Sequence, residues 1–265
     1  MKMSGNADQL ATAREKSKQK GKSPRELGEL ALRKTIDWIY RWGFTSSGVV
    51  LDLLQRTAGG YSQKLSRQGW LIATKTESGI PSHYFTLSQA GLQEAERRSE
   101  TLCRYPEINC FKVNQKLIRH DLLAQESTIN SLNRGAILGF ETERMFMKNG
   151  DARGIKHPDV VWLLHSGARV GIEIELSSKW DRDLHEFILQ IAHALHSSSE
   201  KPARFDRFAI ISDSSAIIKN YKEAMAPGAS LPVWQKNSRG HWAIEKKIAV
   251  PDWLISKVDF RLISK

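Results

Sequence analysis

Between positions 27 and 98 the spacing of apolar residues changes in a fixed order. Leu27, Leu30, Ala31, Ile36, Ile39 and Tyr40 approximate one helical face, and Gly43 ends the run, so a helix is expected over 27–42. Thr45, Ser46 and Ser47 supply capping chemistry for a second helix carrying Val49, Val50, Leu53 and Leu54, and a turn follows at 57–60. A third helix is expected over 61–68, with Leu65 turned inward and Ser62, Gln63, Lys64, Ser66 and Arg67 left available. The period then drops to that of strands at 69–72 and 83–87, on either side of a polar, glycine-containing turn. Ser88 is placed to cap a closing helix that runs to Arg98.

Helix, helix, helix, strand, turn, strand, helix is an order that resembles a winged helix, and the phrase "YFTLSQAGL" adds to the likeness. The resemblance covers 27–105 and implies DNA binding. The third helix would read the duplex through Ser62, Gln63, Lys64, Ser66 and Arg67, with Lys75 contributing from the start of the wing. A protein-docking role for the same helix is the alternative. Ahead of it, 1–26 is polar and carries Lys2, Arg14, Lys16, Lys18, Lys20, Lys22 and Arg25, the composition of a disordered basic arm.

Charge supports a nucleic-acid partner. The 265 residues have a formal net charge of +11, and lysines and arginines that neutralise phosphates gain free energy from counterion release. A merely basic protein and a binder of anionic membrane surfaces share that charge. The hydrophobic fraction of 40% can fill two cores. The absence of an apolar run of about 18 residues argues against membrane insertion, and the lack of a secretory signal pattern leads to a cytoplasmic expectation. Cys103 and Cys110 have neither CxxC spacing nor a companion histidine cluster, so reduced thiols are expected.

From about 106 the pattern suggests a linker around Pro106 and then a long helix over 114–133, with Leu117, Ile118, Leu122, Ile129 and Leu132 at helical spacing. His120 lies within it and reads as a satisfied structural histidine. A second domain is expected over 135–265. Its informative stretch opens at Pro158-Asp159, continues through an apolar strand at 160–164, and turns at 165–168 into a strand at 169–176. There Ile172, Ile174 and Leu176 alternate with Glu173 and Glu175, which puts both carboxylates on one face. Lys179 follows, expected in the first turn of a helix whose Leu184, Phe187, Ile188, Ile191 and Leu195 face the sheet.

Hard carboxylate oxygens suit Mg2+ or Mn2+, and a neighbouring lysine can orient a nucleophile or offset developing negative charge, so Asp159, Glu173, Glu175 and Lys179 form a set fit for phosphodiester hydrolysis. Geometry adds a condition. A two-residue turn would pair Asp159 with Ile174 and send its carboxylate to the other face, whereas a three-residue turn or a bulge would set it opposite Glu175. The bland reading of the same residues is the solvent face of an edge hairpin, with Lys179 in a surface ion pair.

Pro158-Asp159, Glu173-Ile174-Glu175 and Lys179 resemble the PD-(D/E)xK nuclease superfamily. Together with the preceding domain they resemble the plasmid replication-relaxation family and the C-class mobilisation relaxases, over most of 27–212. The resemblance implies a restriction-endonuclease-like mixed sheet flanked by helices, in an α+β or α/β class. It also implies nicking of double-stranded DNA at a plasmid transfer origin with Mg2+ or Mn2+, alongside accessory mobilisation proteins. Asp159, Glu173 and Glu175 would hold metal, Lys179 would be the catalytic lysine, and Glu143 would be the upstream glutamate, with Glu141 competing for that role. The chain departs from the pattern where Glu175 occupies the usual lysine position. A non-catalytic replication or transcription regulator and a restriction or transposon-type endonuclease are the rivals. An activated water is favoured as nucleophile over Tyr40, Tyr61, Tyr84, Tyr105 or Tyr221. His193 and His196 read as polar-face residues, Trp234, Trp242 and Trp253 as core packing rather than base-stacking platforms, and Pro251-Asp252 as a decoy.

Overall fold

A computed structural model describes residues 21–103, 109–145, 156–199 and 202–263. The chain divides into two compact units between Gln115 and Lys116. The described residues form a mixed α+β protein with eight α-helices and three sheets. The expected basic arm falls outside the described residues up to position 20, and so does the linker around Pro106.

In the first unit, α1 (Pro24–Trp42) begins three residues earlier than the apolar pattern suggests. Ser23 and Glu26 close a reciprocal capping box, in which Ser23 Oγ accepts from the Glu26 amide at 3.2 Å and Glu26 Oε2 accepts from the Ser23 amide at 2.6 Å. Next come β1 (Thr45–Ser46), α2 (Ser47–Leu53), α3 (Tyr61–Arg67), β2 (Leu71–Lys75), β3 (His83–Leu87) and α4 (Gln89–Arg98). The apolar pattern does not predict the short β1. Thr45 and Ser46 pair antiparallel with Phe85 and Tyr84, giving a sheet of order β1-β3-β2, and Ser46 Oγ also caps α2 at the Val49 amide. Ile36, Ile39, Leu65, Leu71, Phe85 and Leu92 make the core between helices and sheet. At Gly91 a Cβ would lie 2.3 Å from the Trp70 carbonyl oxygen, so glycine lets α4 rest on the backbone ahead of β2.

The second unit starts with α5 (Ile118–Asn133), which follows a 3-10 turn and is shorter at its start than the sequence pattern suggests. Its sheet is built from β4 (Gly139–Thr142), β5 (Val160–Leu163), β6 (Arg169–Ile174), β7 (Arg207–Ser212) and β10 (Val258–Leu262), in the order β10-β7-β6-β5-β4. The pairs β4/β5 and β5/β6 are antiparallel, whereas β6/β7 and β7/β10 are parallel. Parallel pairs need crossovers, which are supplied by α6 (Asp181–Leu195) and by a longer excursion through α7 (Ser215–Ala224), the hairpin β8 (Ser230–Lys236) and β9 (Trp242–Ala249), and α8 (Asp252–Ser256). Leu184, Phe187, Ile188 and Ile191 of α6 pack with Val161, Phe208, Ile210 and Tyr221 on one face of the sheet. On the other, Trp162 Nε1 donates to Thr128 Oγ1 of α5 at 3.0 Å. No described helix is long and apolar enough to cross a membrane.

The β5/β6 hairpin meets the expected odd offset with a different partner. Leu164 N donates to Ala168 O at 2.9 Å and Gly167 has φ +85°, so the loop is the three residues 165–167 with glycine in the left-handed region. Val160 lies opposite Ile172. Continued by one residue, this register sets Asp159 opposite Glu173 rather than Glu175, because the loop closes one residue earlier than anticipated. The shift is by two on the partner strand, so the carboxylates keep a common face.

Candidate active site

Glu173 stands on β6, the middle strand of a five-stranded sheet, and Glu175 follows directly after its last residue, Ile174, with its amide donating to Ile211 O at 2.8 Å, so neither is on an edge. Glu173 is 2% exposed and Glu175 4% exposed. Their face is the one covered by α6 and α7, which overturns the reading of a solvated hairpin face. Burying a carboxylate in such a place is costly unless it is paired and hydrogen-bonded, so what surrounds these groups matters.

Both line a pocket of about 410 Å3 together with Asp159, Lys179, Lys156, His120, Arg119 and Lys116. Each carboxylate meets its own cation. Lys156 Nζ lies 2.9 Å from Glu173 Oε2, Lys179 Nζ bonds Glu175 Oε1, and His120 Nε2 lies 3.2 Å from Asp159 Oδ2. Asp159 also substitutes for strand pairing at the end of β5: its amide donates to Ile172 O at 3.0 Å, and its Oδ2 accepts from the Ile174 amide at 2.7 Å. The second oxygen of Glu173, Oε1, is buried with no hydrogen-bond partner among the described residues.

Electrostatics follow from this crowding. Burial and the neighbouring Asp159 push the Glu173 carboxyl well above the usual carboxylate range, although Lys156 pulls the other way. Burial works against the Lys156 ammonium, but Glu173, Asp159 and Glu175 together outweigh it and hold its pKa up. His120 is likewise opposed by burial, and its hydrogen bonds to Asp121 and Asp159 raise it to about 10. Burial also raises the Tyr221 phenol, which lies beside Glu175.

Of the residues anticipated from sequence, Asp159, Glu173, Glu175 and Lys179 come together in this pocket. Lys179 lies ahead of α6 rather than in its first turn, because that helix begins at Asp181 after Trp180. Glu143 is exposed in a 3-10 turn and does not line the pocket, and Glu141 pairs with Arg169 at 2.6 Å. In the first unit, Gln63, Lys64 and Arg67 are exposed on α3, Ser66 is half-buried, and Lys75 is exposed at the end of β2. Ser62 is a correction, being 2% exposed. It sits three residues before Leu65, on the inner face of α3, so it is not available to a ligand. Asp252 begins α8, and Pro251-Asp252 is outside the pocket. His193 and His196 do not line it either, and His196 packs near Trp253 with centroids 6.1 Å apart.

Four charged or titratable residues join the pocket without a sequence expectation to place them there: Lys116, Arg119, His120 and Lys156. His120 reads as structural, and it is satisfied, but by the carboxylate of Asp159. Lys156 sits two residues ahead of Pro158, and that nearness to the Pro-Asp step is the available signal.

As donors, Asp159, Glu173 and Glu175 offer the hard oxygens that Mg2+ or Mn2+ prefers, and the orphaned Oε1 of Glu173 is an unspent ligand atom. In the arrangement described, ammonium and imidazole groups occupy the carboxylates, and no cluster of three or more His, Cys, Asp or Glu able to hold an ion is formed among the described residues. The donor set fits a divalent ion in kind, with Lys156 as the group that must yield. No protein-family model, curated protein or solved structure matches this chain.

Proposed function

We propose that the second unit is a metal-dependent DNA endonuclease centre related to the PD-(D/E)xK nucleases, and that the first unit is a winged helix that binds duplex DNA. The reading is a plasmid mobilisation nickase that cuts one strand at a transfer origin, in company with accessory mobilisation proteins. The observation that carries it is the pair of buried glutamates on and just after the central strand, converging with Asp159 and two lysines in one pocket. A strand that needed only to fold would place apolar residues there. Strongly shifted, buried ionisable groups in a cleft mark functional sites more often than structural ones.

A Mg2+ or Mn2+ ion held by Asp159, Glu173 and Glu175 would acidify a water and offset charge on the phosphoryl group under attack. The chain's own groups do the rest. His120 fixes the orientation of Asp159, Lys179 stands beside Glu175 to neutralise charge on a non-bridging phosphate oxygen, and Lys116 and Arg119 line the mouth with further positive charge. Tyr221, beside Glu175, is fully buried, which argues against it as a nucleophile and supports an activated water in that role.

The cation on every carboxylate favours one rival, a DNA-binding replication or transcription regulator that keeps the fold without the chemistry. Supercoiled plasmid incubated with the protein in Mg2+ or Mn2+ separates the two. The nickase reading expects nicked circles from the intact protein, none in chelator, and none from Glu173→Gln or Lys179→Ala variants that still bind DNA. Binding without nicking by the intact protein contradicts it, and linear product from paired cuts points to a restriction or transposon-type enzyme.

A further inference from the structure

The β8/β9 hairpin is a two-stranded sheet of its own, paired from Ser230 opposite Ala249 to Lys236 opposite Trp242, with a bulge at Val233/Trp234. Its base is anchored. Leu231 is buried in the core of the second unit, and Trp234 Nε1 donates to His185 Nδ1 of α6 at 3.2 Å. Beyond that base the ribbon is open, and all eight residues of β9 are exposed. Trp242 and Ile244 are each 45% exposed. Nearly half the surface of these two apolar side chains is left open on a two-stranded ribbon, where it is available to a partner.

The charges around them choose a partner. Lys236, Arg239, Lys246 and Lys247 lie on the ribbon and its turn, against the single acid Glu245. The Arg182 guanidinium lies 4.7 Å from the centre of the Trp242 ring and the Lys236 ammonium 5.3 Å. A half-exposed indole with cations close to its ring combines a stacking surface with positive charge, as a nucleic-acid strand requires. Lysines on the open strand disfavour addition of a further β-strand, which is the other use of such an edge. Arg182 itself is engaged by Asp183 at 3.0 Å and Glu186 at 3.7 Å, so it positions the indole and leaves the phosphates to the lysines of the ribbon.

We infer that the β8/β9 ribbon is a second DNA-contacting element, in which Trp242 stacks on an unpaired base while Lys236, Lys246 and Lys247 take phosphates. This rests on the reading that the second unit acts on DNA, and it names the strand-separated part of the substrate as what the ribbon grips.

The test uses the full chain, in chelator so that no cleavage enters, with a fluorescein-labelled single-stranded oligonucleotide and its duplex read by anisotropy. Trp242→Ala is expected to weaken single-strand binding about tenfold and duplex binding far less, given the usual worth of one base–aromatic stack. Lys246→Glu with Lys247→Glu is expected to flatten the dependence of log affinity on log salt by about 1.4 for the single strand, about 0.7 for each phosphate no longer neutralised. Wild-type affinity and salt dependence in both variants would overturn the inference. So would a change of sedimentation behaviour in Trp242→Ala without a change in DNA affinity, since that assigns the ribbon to a second copy of this chain. Failure of the cleavage reading looks different: a protein that never nicks plasmid in Mg2+ or Mn2+ can still show both binding effects.

Discussion

Glu173 concentrates the tension in this molecule. One of its oxygens meets Lys156 at 2.9 Å and the other has no partner among the described residues, so the carboxylate is half-compensated in a place that water scarcely reaches. Removing the lysine leaves a buried charge unpaired, which costs roughly 3–5 kcal/mol in comparable settings. Lys156→Met should therefore lower the melting temperature in chelator, and Mn2+ should restore more of it in the variant than in the wild type, because the ion no longer competes with an ammonium. Thermal unfolding with and without Mn2+ reads this, and equal metal-induced shifts in the two proteins would count against Lys156 as the competing cation. His120 gives a pH signature. Its pKa is raised from the ordinary 6.5 to about 10, so the stability it adds is fully present below about pH 6.5 and lost as pH rises towards 10. The stability gap between wild type and His120→Gln, measured by urea unfolding, should accordingly be wide at about pH 6 and narrow by about pH 9.5. A constant gap would mean that the imidazolium contributes nothing through Asp121 and Asp159.

At the scale of elements, the middle strand does the positioning. Gly171 shares the face of Glu173, and a Cβ there would lie 2.7 Å from the buried Phe208 ring, so any larger residue forces that ring to shift. Gly171→Ala should destabilise by about 1–3 kcal/mol, the usual range for forcing an extra methyl into a packed core, and should disturb metal binding along with stability because the same strand carries Glu173 and leads directly into Glu175. Urea unfolding checks the first effect, and an unchanged midpoint would refute it. The alternation in β6 and the glycine in the preceding turn make this hairpin readable from sequence, since period-2 pattern and left-handed glycine are local signals. Which residue faces Asp159 is not readable, because a loop that closes one residue earlier shifts the partner by two without altering the pattern. Ser62 and β1 escape for a related reason: in α3, only seven residues long, one buried serine is decided by how the helix rolls against Leu65 and the sheet. Lys156 is hidden because it precedes β5 and meets Glu173 while its amide donates to Gln190 O of α6 at 3.4 Å, a tertiary placement that no periodicity records.

For the whole molecule, the net charge of +11 and the division into two units are the features on which the proposed separation of duplex binding from metal chemistry rests. Charge reversal on α3, with Lys64→Glu and Arg67→Glu together, should weaken duplex binding and reduce its salt dependence by about 0.9 for each phosphate left without its cation, while leaving Mn2+ binding unchanged. Anisotropy across a salt series reads the first and a metal titration the second. Unaltered duplex affinity would remove α3 from the interface. The central claim, that the buried carboxylates of this pocket are a metal site and not a relic, is met most directly without DNA, since ion binding does not depend on which sequence the protein recognises. The measurement is electron paramagnetic resonance of Mn2+ titrated into wild type and into Glu173→Gln. Loss of the free-ion signal in the wild type, with a signal close to that of buffer in the variant, is the expected result; a wild type that leaves the free signal untouched, or a variant that binds equally well, would contradict it.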